Sequence, residues 1–267
     1  MHRHGHNFPY AASPRFTPIA ANVTGAMHRR SPYGFDLLES CSTCQWRNDT
    51  FFCDVKSEAL KAFDRLAFAN VYPPGALLFA EGEAPRGVFM LCRGVVKLSV
   101  ASGDGKTLIT RIVHAGEALG MSSVLSKLDY RATAETVEPA QVKFIRADDF
   151  IRWMDEHAEG WRRACRQLSD ECAAADDHLR SLGLSHSAKE KLAHLILTAC
   201  IESGQETPNG TRVQLLMTHE EMSQRIGTSR ETVTRLLKYF RDKKILSIRG
   251  SSLTVTNRPA LESLVNM

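Results

Sequence analysis

The sequence predicts an α+β fold: an antiparallel β-roll, then a long helix, then a C-terminal winged helix-turn-helix. From 71 to 145, short alternating segments are punctuated by glycine, which is typical of a small antiparallel barrel or roll. Apolar residues then recur at alternating spacings of four and three, the heptad pattern of a long amphipathic helix. Between 218 and 244, two helix start signals flank a glycine, which predicts two short helices joined by a tight turn.

Composition is that of an ordinary globular protein. The 267 residues leave room for about two domains. No apolar run approaches the ~18 residues that a membrane span needs. The sequence also lacks the basic start followed by an apolar stretch that would indicate secretion. We therefore expect a cytoplasmic protein with no membrane partner. Seven cysteines, an odd number without a compact framework, indicate ligands, redox sensors or core residues of a reducing compartment.

Changes of pattern divide the chain into four parts. Gly, Pro, Ser, Asn and basic residues without periodicity predict a disordered tail at 1–36. A cysteine-containing segment and the β-roll follow at 37–150, the long helix at 151–183 and the winged helix-turn-helix at 184–267. In the second part, 56–70 have apolar residues at helical spacing. Strands are expected in LLFAEG, VFMLCRG, VVKLSVASGDG, TLITRIVHAG and QVKFI.

Three cysteines lie within thirteen residues. Cys41, Cys44 and Cys53 have the spacing C-x2-C-x8-C. A C-x2-C pair lets two thiolates face one metal from a tight loop, as in zinc and iron–sulfur sites, and the third cysteine is near enough to join them. Such sites normally have four protein ligands, so one is missing locally. The alternative is a half-buried loop with incidental thiols.

The long helix carries a heptad seam of about three repeats. Its members are Trp161, Cys165, Leu168, Cys172, Ala175, Leu179 and Leu182. A long amphipathic helix can pack on its own domain, but a strict alternation of three and four favours a two-stranded coiled coil. Cys165 and Cys172 are then small apolar seam residues rather than metal ligands.

The first short helix of the C-terminal part begins at Thr218. Thr218 and Glu221 form a Ser/Thr-x-x-Glu signal, in which the hydroxyl and the carboxylate each satisfy a backbone N–H. Met222 and Ile226, four residues apart, are expected to form its buried stripe. Gly227 tolerates the left-handed backbone that a sharp exit from the helix requires.

The second short helix opens at another start signal, Thr228-Ser-Arg-Glu231, and has two different faces. The apolar face contains Val233, Leu236, Leu237 and Phe240. The opposite face contains Arg230, Glu231, Thr234, Arg235 and Lys238. In helix-turn-helix proteins the N-terminal end of this helix enters the DNA major groove, so a polar, largely basic face there predicts DNA binding.

Excess positive charge is concentrated in the same region. Residues 211–250 contain nine Lys or Arg and four Asp or Glu, whereas the whole chain has a net charge of +4. Such a concentration is expected of a phosphate-binding surface. Two short alternating segments, 245–248 and 253–255, flank Gly250 and predict a wing beside the helix. The alternative is an ordinary helical hairpin with a solvated charged face.

With a β-roll, a heptad helix and a winged helix-turn-helix containing IGTSRETVTR in this order, the chain resembles the Crp–Fnr superfamily of bacterial transcription regulators. The resemblance covers about 37–265 and is closer to the Fnr-like branch. It implies a homodimer that binds two-fold symmetric sites in double-stranded DNA. It further implies a cyclic-nucleotide-binding-type β-roll that senses a signal, and RNA polymerase as a partner.

The recognition helix carries over residue by residue. Arg230, Glu231 and Arg235 match the base-reading positions of the family, and Thr234 fills the position that separates the Fnr-like from the Crp-like branch. Arginine donates two hydrogen bonds to guanine, glutamate accepts from the cytosine amino group, and threonine offers a methyl to thymine. A half-site with a TGA-type core is therefore expected.

The sensor departs from the cyclic-AMP-binding members of the family. Those members have a glutamate after the glycine of the phosphate cassette, where this chain has Met121 after Gly120. Ala132 replaces the usual Ser or Thr. Since methionine is a poor acceptor for a ribose hydroxyl, the resemblance argues against cyclic AMP, and Arg131 is expected to stabilise the roll.

The oxygen-sensing branch holds a [4Fe–4S] cluster with an N-terminal cysteine cluster and a fourth cysteine in the roll. Cys41, Cys44 and Cys53 resemble the first three, but the implied fourth position is Ala140, which cannot bind iron. Cys92 and Asp54 are substitutes that the family does not imply. An iron–sulfur cluster therefore competes with a three-cysteine redox switch, a zinc site, a different small-molecule sensor and a regulator without a signal.

These inferences predict a dimeric DNA-binding transcription regulator. Because the seam position is Ala175 rather than an acidic residue, we expect the dimer to form without a signal. The alternative is a metal- or redox-binding sensor that acts mainly through protein contacts. An enzyme is not expected, since no Ser/His/Asp set, paired carboxylates or phosphate-binding loop emerges; GDGK at 103–106 has the wrong spacing.

Overall fold

The computed structural model describes residues 30–44, 47, 52–185, 187–214 and 216–265. Most of the predicted tail, 1–29, lies outside these residues. The prediction of disorder is wrong for 30–36, which form a turn. Ser31 Oγ accepts hydrogen bonds from the N–H groups of Tyr33 and Phe35, and Phe35 is buried beneath the guanidinium of Arg93. None of the helices in the described residues has the length and apolarity of a membrane span.

The N-terminal half contains every strand that the sequence predicts, and three more. Its elements are α1 (Ser57–Leu66), β1 (Phe68–Tyr72), β2 (Leu77–Phe79), β3 (Gly87–Arg93), β4 (Val95–Ala101), β5 (Thr107–His114), β6 (Ala118–Leu119), α2 (Met121–Ser126), β7 (Thr133–Thr136) and β8 (Ala140–Arg146). The predicted helix at 56–70 is too long, because 68–70 pair with β8 in an antiparallel ladder.

These strands form two antiparallel sheets that enclose a core. One sheet has the order β1-β8-β3-β6 and the other β2-β7-β4-β5. The inner core between them includes Phe79, Phe89, Leu91, Tyr130 and Ala140. Phe79 and Tyr130 stack with ring centroids 4.0 Å apart. Together the two sheets form the β-roll that the sequence predicts.

A second core lies on the outer side of the β1-β8-β3-β6 sheet. There α1 packs against α3 (Ala147–Glu156). Trp153 is 1 % exposed, its ring lies 5.0 Å from that of Phe63, and its Nε1 donates a 2.9 Å hydrogen bond to the carbonyl of Ala59. Cys41 and Cys53 are also buried in this outer core. The cysteine-containing segment is thus folded onto the sheet from outside.

The long helix begins later than the sequence predicts. A helix was expected from 151, but α3 ends at Glu156 and α4 spans Ala158–Leu184. His157 is extended between them, and its N–H bonds to the carbonyls of Trp153 and Met154. After the break, α4 still contributes Ala164 to the outer core in which α3 is buried, and Leu168 packs against that core.

The C-terminal part is a third layer with its own core. It consists of α5 (Ala188–Ser203), β9 (Gln205–Thr207), β10 (Gly210–Gln214), α6 (His219–Ile226), α7 (Arg230–Asp242), β11 (Leu246–Arg249), β12 (Ser252–Val255) and α8 (Arg258–Glu262). A sheet of order β11-β12-β10-β9 covers one side of its helices. The predicted wing strands are confirmed, whereas β9 and β10 were not predicted.

Gly160 is required by close packing where α4 starts. A Cβ there would lie 2.6 Å from the Trp153 ring and 3.1 Å from Met154 Cγ. Gly160→Ala should therefore destabilise the N-terminal half by about 1–3 kcal/mol, measured by urea unfolding followed through tryptophan fluorescence.

Gly183 in the same helix is the matched control, since nothing lies within 4 Å of a Cβ built there. Gly183→Ala should be neutral or stabilising by up to ~1 kcal/mol. Equal unfolding midpoints for the two variants would contradict the packing argument.

Candidate nucleic-acid interface and thiol cavity

Helix α6 begins and ends as the sequence predicts. Thr218 Oγ1 accepts a hydrogen bond from the N–H of Glu221, and the Glu221 carboxylate accepts one from the N–H of Thr218, which completes a capping box. Gly227 has φ 65° and ψ 47°, the left-handed conformation that lets the chain turn sharply. The turn brings α7 across α6, the arrangement of a helix-turn-helix.

Helix α7 is held by its apolar face and leaves its polar face in solvent. Val233, Leu237 and Phe240 are at most 2 % exposed. The five residues predicted to contact DNA are all exposed: Arg230, Glu231, Thr234, Arg235 and Lys238. The helix is N-capped by Ser229, whose Oγ accepts from the N–H of Thr232.

Two contacts organise the exposed face of α7. The pKa of Glu231 is held below its usual value by its own backbone N–H and by the Ser229 hydroxyl, so the side chain stays an ionised acceptor. The Thr234 hydroxyl lies 2.9 Å from Nδ1 of His219 and donates to the Arg230 carbonyl. Because the hydroxyl is occupied locally, the methyl group is the part of Thr234 that is free to meet a base.

The seam of α4 is largely uncovered in the single chain. Trp161 is 37 % exposed and Leu179 66 % exposed. Cys165, Cys172 and Ala175 are also exposed, and the remaining members, Leu168 and Leu182, are half-buried. A single chain therefore presents an apolar stripe along this helix.

Arg225 of α6 joins the C-terminal part to the roll and to α4. Its Nη1 donates to the carbonyls of Thr110 and Ile109 in β5, the latter at 3.2 Å, and lies 2.6 Å from Nδ1 of His178 in α4. Nε2 of His178 lies 2.9 Å from the Arg225 carbonyl. Only a neutral imidazole can accept from Arg225 and donate to its carbonyl, so this contact requires unprotonated His178.

Lys97 of β4 forms a second contact between the C-terminal part and the roll. We call the contacts of Arg225 and Lys97 the interdomain joint. Its Nζ lies 2.9 Å from Glu221 of α6 and 2.9 Å from Glu135 of β7. Burial would raise the pKa of Glu221, but hydrogen bonds from Lys97 and Thr218 outweigh burial and lower it. The residue that caps α6 thus also ties the helix to the roll.

Four cysteines line one cavity at the outer face of the β1-β8-β3-β6 sheet. Cys41 starts a short 3₁₀ helix at Cys41–Thr43, and Cys44 and Cys53 follow it. The fourth is Cys92 of β3. The structure thus places the three predicted ligands together and adds one. Within the described residues, no three His, Cys, Asp or Glu side chains are grouped closely enough to hold a metal ion as they stand.

A buried ion pair borders this cavity. Lys143 of β8 is 2 % exposed, contacts Asp64 of α1 and donates to Cys41 Sγ at 3.4 Å. Burial raises the pKa of Cys41 to about 11, against the opposing effect of Lys143, and burial raises the pKa of Cys53 to about 12. Burial also raises the pKa of Cys92. Cys41, Cys53 and Cys92 are therefore protonated at neutral pH in this structure.

The two residues considered as substitute ligands are placed differently. Asp54 accepts a 2.7 Å hydrogen bond from Arg163 of α4 and does not line the cavity, whereas Cys92 lines it. In the cassette region, Met121 is buried in the outer core. Arg131 is exposed, and its role in stabilising the roll stays a prediction.

Sequence reasoning missed Arg225, His178 and Lys97, because their partners lie far away in the chain. A signal did exist for Lys143. A lysine in the middle of the apolar strand QVKFI indicates a buried charge that needs a partner.

Comparison with known proteins finds two family models in this chain. A cyclic nucleotide-binding domain matches residues 69–157, and a Crp-like helix-turn-helix domain matches residues 190–264. The first covers the roll and α3, and the second covers the four C-terminal helices and the wing.

Several regulators are similar over most of the chain. The global nitrogen regulator of Synechococcus elongatus is 27% identical over 191 residues, 70% of this chain and 85% of that protein. The fumarate and nitrate reduction regulatory protein of Yersinia pestis is 26% identical over 190 residues, 71% of this chain and 75% of that protein. The structure of FixK2 from Bradyrhizobium japonicum shares the fold, with a TM-score of 0.66 and 22% identity over 74% of this chain and 96% of that one.

The Arg225–His178 contact predicts an acid-sensitive joint. Burial first, and then Arg225, lowers the pKa of His178, and burial likewise lowers the pKa of the neighbouring His194. A lowered histidine pKa in the folded state means that the unfolded chain takes up the proton first. The stability that neutral His178 contributes is therefore fully present above about pH 6.5. It is lost as the pH falls below that value. The unfolding midpoint of His178→Gln should change less between pH 7 and 5.5 than that of the natural chain.

His219→Gln is the matched control, because His219 lies on the DNA-facing side of α6 and contacts Thr234 rather than the joint. Its pH profile should follow that of the natural chain. Parallel profiles for the natural chain and His178→Gln would contradict the prediction.

Proposed function

The chain belongs to the Crp–Fnr superfamily of DNA-binding transcription regulators, and we propose that it acts as a homodimer on a palindromic site with a TGA-type half-site core. The observation that carries the proposal is that α7 exposes its polar face while its apolar face is buried in the C-terminal core. The relatives include both nitrogen regulators and a fumarate and nitrate reduction regulator, so membership of the Fnr-like branch stays a prediction.

Base reading is assigned to the exposed residues near the start of α7. Arg230 and Arg235 supply the donor pairs that recognise guanine, and ionised Glu231 supplies an acceptor for a cytosine amino group. The Thr234 methyl is suited to a thymine methyl, because its hydroxyl is already bonded to the Arg230 carbonyl. Lys238, one turn further on, is placed to contact phosphate.

Dimerisation is assigned to the exposed stripe of α4. A 27-residue helix with apolar residues in strict heptad register would leave that stripe in water if the chain remained single. Pairing two copies through the stripe buries Trp161, Leu179 and their neighbours, and sets the two α7 helices to read the two half-sites. Since no acidic residue occupies the seam at Ala175, the dimer forms without a signal.

The signal enters through the N-terminal part, and we assign redox sensing to the cavity thiols Cys41, Cys44 and Cys53. If the thiols hold a metal or cluster, that group would supply a redox-sensitive link between the cysteine segment and the roll. The interdomain joint through Arg225 and Lys97 gives the roll direct contact with α6. RNA polymerase as a partner rests on the family resemblance, whereas the cytoplasm as the location stays the expectation from the sequence pattern.

Cyclic AMP is not proposed as the signal. Met121, at the cassette position where cyclic-AMP-binding relatives have a glutamate, is 1 % exposed and packs in the outer core. Its thioether sulfur is a poor acceptor for a ribose hydroxyl.

Arg235→Ala should reduce binding to the preferred palindrome by about 1–3 kcal/mol and relax discrimination at one base pair. Fluorescence anisotropy with a set of single-base-pair variants of the site measures both effects. Lys238→Ala is the control, and it should weaken binding to all sequences nearly equally. An equal loss on every sequence for Arg235→Ala would assign that residue to phosphate contact only.

The natural chain should elute as a dimer from size-exclusion chromatography under air at micromolar concentration. Ala175→Asp places two like charges at the seam and should raise the dimer dissociation constant roughly tenfold or more, about 1.4 kcal/mol. Ala174→Asp is the matched control, because Ala174 is exposed on the same helix but off the seam. A monomeric natural chain, or equal effects of both variants, would contradict the dimer.

No preference for TGA-containing palindromes over random DNA would support the alternative function instead. The protein would then be a metal- or redox-binding sensor that acts through protein contacts.

A further inference from the structure

We propose that Cys92 of β3 is the fourth ligand of a metal centre that it forms with Cys41, Cys44 and Cys53. This inference deepens the proposed sensing role of the three N-terminal cysteines. It also corrects the ligand set that the family resemblance implies, which places the fourth ligand at position 140.

The face of the sheet on which each residue packs decides between the two positions. In β3, Val88 and Met90 face the outer core, while Phe89 and Leu91 face the inner core. Cys92 lies at a β-bulge between Leu91 and Arg93, where the alternation is interrupted, and it packs against the outer core, the core that contains Cys41 and Cys53. Residues two apart on a strand share a face of the sheet.

Residue 140 lies on the opposite face. Ala140 of β8 is 0 % exposed and belongs to the inner core, and its Cβ lies close to Gly94. The outward positions of β8 nearest to Ala140 are Gln141, which bonds to the backbone of Leu38, and Lys143, which contacts Cys41. A ligand at residue 140 would therefore point away from the N-terminal cysteines. The site does not need a thiol at that position, so alanine there is compatible with it.

Two cations beside the cavity fit a negatively charged centre. Four thiolates outweigh the charge of Zn²⁺ or of an iron–sulfur core, so the bound site carries net negative charge. Lys143 Nζ already donates to Cys41 Sγ. Arg47 acts electrostatically on Cys53, and its Nη1 is buried with no hydrogen-bond partner in the part of the chain that the structure describes. Without a charged centre, nothing in the described part of the chain offsets the free-energy cost of burying the Arg47 Nη1 donor without a hydrogen bond.

Binding exchanges protons for metal. Each of the four thiols releases its proton to solvent and donates a sulfur lone pair to the metal, so no oxidant or reductant is needed. Because the side chains are not grouped as ligands as they stand, binding must draw them inward. Asp54 is not a competitor, since Arg163 and Arg47 hold its carboxylate.

The position of Cys92 also connects the centre to the helix that carries the seam. The N–H and carbonyl of the preceding residue, Leu91, bond to Glu117 and Gly116. Glu117 contacts Arg111, which lies 2.8 Å from Glu171 of α4. Ligation by Cys92 would therefore act three contacts away from α4, whereas the other three cysteines precede the roll.

The test compares the natural chain with Cys92→Ser and Cys200→Ser, all purified without oxygen. Cys200 is the matched control, since it is a buried cysteine in the C-terminal core. Iron, sulfide and zinc are measured per chain, with absorption spectra and circular dichroism as a check of folding. The natural chain and Cys200→Ser should carry about four irons and four sulfides, or about one zinc. Cys92→Ser should carry less than a fifth of that content.

A second measurement needs no variant. Thiolate-to-metal absorption after titration of the metal-free natural chain with Co²⁺ should have the intensity of four thiolates rather than three. Natural metal content in Cys92→Ser, a three-thiolate spectrum, or no metal in the natural chain would each overturn the proposal. DNA binding by the same samples is scored separately, so a failed metal centre and a failed regulator give different results.

Discussion

The β1-β8-β3-β6 sheet is the element on which the N-terminal half depends, because each of its faces covers a different core. Inward residues such as Phe89 and Leu91 fill the roll, and outward residues such as Met90 pack against α1 and α3. A one-residue slip in register would exchange the two sets. The same alternation places Lys143 on the outer face, beside the folded cysteine segment, and the β-bulge between Leu91 and Arg93 leaves Cys92 on that face as well. Packing and the proposed sensing site are therefore set by one constraint.

The C-terminal part must hold α7 in place while one face of that helix stays exposed. Its three buried side chains anchor it, and Gly227 sets its angle to α6. The interdomain joint then holds α6 against β5 and α4 through Arg225 and Lys97. Any change that moves the roll or α4 relative to α6 must break or rearrange these polar contacts. The N-terminal part therefore has a physical means of altering the helix-turn-helix.

Local patterns predicted much of this structure. The capping box at Thr218, the exit at Gly227, the buried face of α7 and the wing strands are all encoded within a few residues of each other, and all are confirmed. The break at His157 was missed because apolar spacing continues across it. The joint at Arg225 and the position of Cys92 depend on strand pairing and on partners far away in the chain, which one sequence does not reveal. Residue alignment at Ala140 could not show that this residue faces the inner core of the roll.

The central claim is that two copies of α7 read two half-sites in a fixed geometry. The most direct measurement compares binding of the natural chain to a TGA-containing palindrome with binding to a duplex in which about five base pairs, half a turn, are inserted between the half-sites. Both duplexes contain the same half-sites, but only the first presents them on one side of the helix. The account predicts a large loss of affinity for the second duplex at fixed salt. Equal affinity for both duplexes would contradict it.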